Sequence, residues 1–461
     1  MTRNAGDRVA LAVLTGSLGL DIGGLNVMNA ALPAIGTRFS LDGTALQWVM
    51  TSYALGFAGF LLFGGRAADV FGRKPVFLAG IGLFAAAALA GALAPAQEVL
   101  IAARALQGLG AALSGPSALA LIAEVFPAGP ARARAFGAYA AVGAAAGSGG
   151  FVLGGVLTQA LGWRSVLLLL AASGAVLAAL SPSALPPGVR VRQPLDLLGA
   201  AAVTGALVLA VFGVTRAGQA GWHDPAAIAP SAVALPLFAF FVRRERRVRH
   251  PLLPLALFRS AAVRAGGIAA FLNHTTAVGL QFFAPLYFQS VLGYSPVASG
   301  FAVLPLSATI FLVTTFLTGR LLARTGPWPL LIAGLALLGA GIALWAATGP
   351  RSGYATAMLP GLVVMGLGTG LVFPAMTAAA LTGVEPARHG IAGAVNVTAQ
   401  QIGASVGVAV LVAVSATSTA VLPGYHRAYL TAAGACLLAA VGLGLSRISG
   451  RSAARPAAPS S

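Results

Sequence analysis

Apolar runs of about twenty residues, separated by short polar or basic breaks, recur along the whole chain. Each run is long enough, as a helix rising about 1.5 Å per residue, to cross a hydrocarbon layer of roughly 30 Å. The pattern predicts spans near 10–35, 47–66, 75–94, 98–123, 135–160, 164–182, 196–215 and 225–242, and six more near 263–285, 297–318, 328–348, 354–380, 390–415 and 427–446. The first follows a short basic N-terminus without a small-residue cleavage site, so it reads as a retained span. Fourteen helices in an all-α membrane protein is the architecture this predicts.

Composition agrees. Of 461 residues, 58% are hydrophobic and 8% charged, against roughly 25% charged in soluble domains. The formal charge of +18 raises the question of nucleic acid, and its distribution answers it. With the N-terminus inside, 22 of the 28 basic residues fall on inner segments or the adjoining helix ends, and five (Arg38, Arg164, Arg216, Arg351 and Arg427) fall outside. This is the positive-inside asymmetry, with both termini cytoplasmic, and it implies a multi-pass protein of a bacterial inner membrane with no nucleic-acid partner. The single Cys436 excludes an intramolecular disulfide and a cysteine metal cluster, and neither cofactor nor metal is expected. With no HExxH, no Cys–His grouping and no Walker-type loop, enzymatic and ATP-driven readings find no support.

The two halves echo each other. Gly65, Arg66, Asp69, Gly72, Arg73 and Lys74 lie in GRAADVFGRK between spans two and three; GRLLARTG between spans ten and eleven spaces its glycines, Gly319 and Gly326, alike. The organisation expected is a six-helix bundle over 1–182, a linker with two inserted helices and a basic loop over 183–262, a second bundle over 263–446 and a disordered cytoplasmic tail over 447–461. Residues 181–194 read as a linker. Residues 243–259 are the densest basic run, whose PLLPLALF core is expected either as a topological anchor or as an interfacial segment on anionic lipid.

The decamer GRAADVFGRK closely resembles the loop motif of the major facilitator superfamily, and the resemblance implies a conformational latch between two bundles. In span four, Arg104-Ala-Leu-Gln-Gly-Leu-Gly resembles the fourth-helix motif whose arginine is tied to proton coupling. A charge within a span faces a cavity or a partner, and a structural, hydrogen-bonding arginine is the other reading. Span five has Gly150, Gly154 and Gly155 in the places of the antiporter signature Gly-Pro-x-x-Gly-Gly, with Phe151 where proline is expected. Small residues four apart also serve close helix packing. Gln47-Trp48-Val49, Gly162-Trp163-Arg164, Gly221-Trp222, Pro285 to Gln289 and Gly293 to Pro296 extend the likeness to the fourteen-span drug:proton antiporters over essentially the whole chain.

Span one ends Asn29-Ala-Ala-Leu-Pro33 like the family's first-helix motif, yet Gly24 stands where the motif has aspartate. Asp21 lies three residues earlier, offset by about 4.5 Å of rise and about 60°. Low dielectric opposes ionisation of a carboxyl, which suits a proton carrier; a neutral acid bonded to a neighbouring helix is the alternative. His274, the histidine placed in a span, either titrates in transport or is a structural group. Asn26, Asn29, Tyr53, Asn273, Gln281, Asn396, Gln400 and Gln401 are candidates for a cavity lining, Gln400 standing where the family usually has arginine. The resemblance implies a proton-coupled exporter of small amphipathic compounds, in contact with membrane lipids and working as a monomer. A metabolite or lipid transporter of the same fold is the runner-up.

Overall fold

The computed structural model describes residues 5–127, 130–186, 196–221, 223–248, 251–253, 255–382, 384 and 389–453. Backbone amides in lipid must be satisfied within the chain, and the apolar runs accordingly fold as helices. They form fourteen rods: α1 Ala5–Phe39, α2 Trp48–Phe71, α3 Arg73–Ala92, α4 Gln97–Val125, α5 Pro130–Leu161, α6 Arg164–Ala184, α7 Leu197–Ala220 and α8 Pro225–Glu245. The second set is α9 Ala261–Leu286, α10 Pro296–Thr325, α11 Pro327–Ala346, α12 Tyr354–Leu381, α13 over 389–415 and α14 Val421–Ala453. Short π-helical stretches interrupt α10 at Val313–Thr318 and α13 at Gly403–Gly407. Ten of the rods are individually long and apolar enough to cross a membrane. An even number of crossings returns both ends of the chain to one face.

The rods sort into two bundles and a hairpin. In the first half α4 packs on α2 and α3, α5 and α6 on α1, and α6 on α3. In the second, α11 packs on α12 and α14, α9 on α12 and α13, and α10 on α12. The halves meet where α5 faces α10, α2 faces α13 and α1 faces α9. The α7–α8 hairpin lies against α2 and α13, with the Thr204 hydroxyl donating to the Gly59 carbonyl at 2.5 Å. At its inner end Asp196 caps α7 through the Gly199 amide (2.8 Å) and accepts both contacts of the Arg244 Nε, at 2.7 and 2.9 Å.

Between the halves, Asn29 Nδ2 donates to Gln281 Oε1 (3.4 Å), Gln289 Nε2 to the Ala30 carbonyl (3.3 Å) and the Val297 amide to Gln159 Oε1 (3.4 Å). All three bonds lie in the half of the molecule away from the chain ends, the outer half under the positive-inside assignment. Glycines bring the backbones together at the same level. A Cβ on Gly155 of α5 would meet the Pro296 carbonyl oxygen at 2.5 Å, and one on Gly300 of α10 would meet that of Phe151 at 2.7 Å. These contacts join the two bundles on their outer side.

Three local expectations change. The two echoing "loops" are mostly helix: α2 runs through Phe71 and α10 through Thr325, so each turn is one glycine, Gly72 at φ 100° and Gly326 at φ 72°. A left-handed residue turns the chain in one step, and glycine takes that conformation without a Cβ penalty. The basic segment before α9 does not lie free on lipid. Leu257 in a 3-10 turn (Leu255–Arg259) is buried with Val263 and Val395, and Leu252 and Leu253 pack against the α7–α8 hairpin. Protein packing buries those side chains more completely than an interface does. Helix α14 continues to Ala453, past the expected start of the tail, because extending an existing helix adds a hydrogen bond per residue without a new nucleus. Residues 454–461, and the linker residues 187–195, lie outside the described part.

Candidate functional site

Arg104 sits seven residues into α4 and is fully buried. Its site is made by backbone approach: Gly108 of α4 abuts the Tyr53 carbonyl of α2, and Gly56 of α2 abuts the Ala105 carbonyl. Helices this close place the guanidinium against α2. Its Nε donates to the Val49 carbonyl at 3.0 Å, and Nη1 to Gln107 Oε1 at 3.0 Å. The cation lies over the Tyr53 ring, 4.5 Å from the centroid, an attractive geometry for the ring quadrupole. Nη2 has no hydrogen-bond partner among the described residues.

Tyr53 links this cation to α1. Its hydroxyl donates to the backbone carbonyl of Asp21 at 3.4 Å, and its ring lies within electrostatic reach of both Asp21 and Arg104. The Asp21 side chain is buried near the middle of α1, with Oδ1 unpartnered among the described residues. Its Oδ2 faces Gly115 of α4, whereas Gly24 faces Leu170 and Phe84. Asp21 and the motif position therefore look onto different neighbours. Tyr139 of α5 is within electrostatic reach of Asp21. No ion pair joins Asp21 and Arg104 among the described residues. Tyr53 touches both residues, through the Asp21 backbone carbonyl on one side and the Arg104 guanidinium over its ring on the other. The arginine supplies a fixed positive charge, since its own proton is not given up.

The remaining candidates scatter. His274 stands in the other bundle on α9, its ring 6.3 Å from that of Phe373 and its Nδ1 without a hydrogen-bond partner among the described residues, apart from the Asp21–Tyr53–Arg104 group. Asn29 and Gln281 face each other across the seam. Asn26 donates to the Ile22 carbonyl in its own helix (2.9 Å), and its Cβ lies where a side chain on Gly150 would go. Asn273 is buried with a bare Oδ1. Asn396 is a correction: its amide is spent on the carbonyls of Gly266 (3.3 Å) and Met376 (3.2 Å), and its Oδ1 accepts from Gln400 at 2.8 Å. It fastens α13 to α9 and α12, since a buried amide with carbonyl partners in reach stays with them. Gln401 lies beside Gln400, half-buried.

In the loop motif, Arg73 donates to Glu124 Oε2 and the Ala120 carbonyl, both at 3.3 Å, while Lys74 reaches the carbonyls of Pro182 (2.8 Å) and Leu185 (2.6 Å). These bonds hold α3 to α4 and α6 within one bundle. The side chains of Arg66 and Asp69, on which the latch expectation falls, lie outside the described part, and Gly65 packs near Pro116. The antiporter glycines do carry close packing: Gly150 and Gly154 meet α1 at Asn26 and Val27, and Gly155 meets α10.

Sequence reasoning did not single out Gln107 or Tyr139. Gln107 was signalled by its place three residues after Arg104, one helical turn on the same face. Nor did it anticipate where Phe151 points: with Gln281, Thr276, Ser307, Thr369 and Leu338 it bounds a cavity of about 50 Å³.

Residues 14–408 match the Major Facilitator Superfamily profile. The puromycin resistance protein pur8 of Streptomyces alboniger is 39% identical over 406 residues, covering 87% of this chain and 80% of that protein. The cephamycin export protein CmcT of Amycolatopsis lactamdurans is 36% identical over 404 residues, covering 86% and 83%. The multidrug resistance protein Stp of Mycobacterium tuberculosis is 34% identical over 387 residues, covering 84% and 71%. Among solved structures, the peptide-transporter-family protein PepTSo superposes with a TM-score of 0.70 at 14% identity, covering 96% of this chain and 98% of that one. A mutant of the nucleoside transporter NupG gives 0.69 at 14%, covering 95% and 99%. These two likenesses speak for the fold.

Proposed function

The chain belongs to the major facilitator superfamily, and from that premise we propose that it exports small amphipathic compounds, antibiotics among them, in exchange for protons. It is a multi-pass membrane transporter homologous to antibiotic and multidrug export proteins. The observation that carries the coupling is the buried carboxyl of Asp21, which has no ion-pair partner and a bare Oδ1 among the described residues, while Tyr53 links its backbone to Arg104. A group that takes and releases a proton as access alternates must not be locked in an ion pair. Asp21 meets that condition.

The outer contacts fit a conformation loaded from the cytoplasmic side. Rocking of the bundles about the α5–α10, α2–α13 and α1–α9 contacts would expose the site outward, the general route of alternating access. Arg73 and Lys74 organise the inner end of the first bundle, and the loop they belong to serves as the latch of the opposite state. His274 takes the coupling role only if Asp21 does not.

Reconstituted vesicles under an imposed pH gradient test the reading, with puromycin as the first compound. Wild-type protein accumulates it against its concentration gradient in exchange for protons. Asp21→Asn, nearly isosteric, inserts and folds, loses uphill accumulation and keeps some downhill exchange. Undiminished coupled accumulation by Asp21→Asn moves coupling away from Asp21; uptake into cells along the proton gradient overturns the export direction.

A further inference from the structure

The cavity bounded by Phe151 lies at the seam, on the side of the second bundle. Its walls come from α9, α10, α12 and, through Leu338, α11, a helix that packs within its own bundle. Phe151 is the wall from the other half. It is placed by the tightest part of the seam, where Gly300 of α10 admits the Phe151 carbonyl and Gly155, about one turn further on, admits Pro296. The residue is 3% exposed.

The remaining walls are apolar with four neutral polar side chains, Thr276, Gln281, Ser307 and Thr369, and none that ionises. Thr276 donates to carbonyls of its own helix, and Gln281 Oε1 accepts one long bond from Asn29. The hydroxyls of Ser307 and Thr369 make no hydrogen bond to described residues. A volume of about 50 Å³ holds roughly three waters at about 15 Å³ each, or the end of a ligand's side arm. Apolar walls with a few convergent polar groups share the chemistry of ligand sites, here at the scale of one terminal group and not of a whole ligand.

We propose that Phe151 is a specificity-determining residue: from one bundle it closes a side pocket in the other that receives the neutral hydrogen-bonding arm, a hydroxyl or carboxamide, of the exported compound. The proposal rests on the export reading above and adds which part of the substrate is read, and where. Because Phe151 travels with α5, the pocket is complete only while the outer seam is closed. Parting of α5 from α10 removes one wall, so the arm is held more tightly in the outward-closed state and released as the transporter opens outward, a differential affinity that favours export.

The test is equilibrium binding to the full-length protein in lipid nanodiscs, using pentyl-triphenylphosphonium and 4-hydroxybutyl-triphenylphosphonium. The two amphipathic cations differ by methyl against hydroxyl at the end of the arm. Ser307→Ala combined with Thr369→Val is expected to shift the ratio of their affinities against the hydroxyl compound by about three- to tenfold, the worth of one net hydrogen bond, with pentyl binding held. Phe151→Ala is expected to move preference toward a 6-hydroxyhexyl arm; Phe151→Leu, closer in volume, gives the same direction with less risk to folding. A ratio unchanged within twofold in the Ser307/Thr369 variant, or equal effects of Phe151 variants on every arm length, overturns the subsite. If neither cation binds while puromycin is still exported against a gradient, the subsite falls and the export reading stands. If coupled export is also absent, both fall.

Discussion

A single methyl group at Gly155 should loosen the junction of the two bundles on their outer side. A Cβ there would lie 2.5 Å from the Pro296 carbonyl oxygen, 2.9 Å from its carbonyl carbon and 3.1 Å from the Val297 Cα. All three are backbone atoms of α10, so no rotamer change relieves the clash. Restoring ordinary contact requires the helices to part locally by about 1 Å. Overpacking of this kind costs about 1–3 kcal/mol, here levied on the closed seam and relieved when it opens. The ratio of outward-open to outward-closed molecules should therefore rise by about 5- to 150-fold. Spin labels at Leu161 and Ala298, both exposed at the outer ends of α5 and α10, report the separation by double electron–electron resonance, with Cys436→Ala removing the buried native thiol. Gly149→Ala is the control, because nothing lies within 4 Å of its Cβ position. Gly155→Ala should add a longer-distance population that Gly149→Ala lacks. Identical distance distributions for the two would refute the account of the seam.

Other outcomes follow from the same geometry. Arg104→Lys keeps the charge but loses the planar fork that serves Val49 and Gln107; it should lower stability by about 1–3 kcal/mol, and an unchanged thermal midpoint in detergent would count against it. At the inner end of the hairpin, Arg244→Ala strands Asp196, whose side chain is 3% exposed, at a cost of about 1–3 kcal/mol, below a fully buried pair because the arginine is itself partly solvated. Adding Asp196→Asn should recover part of that loss, since it removes the unpaired charge and keeps an N-cap; a double variant no more stable than Arg244→Ala contradicts the pairing. Reporter fusions after Ser183 and Arg451 should both read cytoplasmic, and a periplasmic signal from either breaks the assigned orientation.

The sequence by itself determined what is local and one-dimensional. Hydropathy over twenty residues predicted fourteen apolar rods, and the described residues fold into helices there, because backbone in lipid must satisfy its hydrogen bonds within the chain. The arginines decided which face is cytoplasmic. The glycines at 72 and 326 marked the two turns, since their spacing repeats and their backbone needs the left-handed region. Arg104 and Asp21 announced themselves as charges where charge is costly.

Tertiary structure decided rotation and partnership. Hydropathy does not say which face of a uniformly apolar helix meets which neighbour, and among 60 glycines the few that admit another backbone look like the rest. Asp21 and Arg104 read as two separate in-span charges, and Tyr53, contributed by a third helix, touches both residues. Asn396 read as a cavity residue, but the approach of α9 and α12 supplies two carbonyls that consume its amide. The basic segment before α9 read either as a topological anchor or as an interfacial segment, and Leu252, Leu253 and Leu257 pack into clusters assembled from helices far away in sequence. Phe151 read as a missing proline in a packing motif. Only the docking of α5 on α10, which pairs residues nearly 150 positions apart, makes it one wall of a cavity whose other walls belong to the opposite bundle. Such contacts depend on shape complementarity between distant segments, a property that no window along the chain contains.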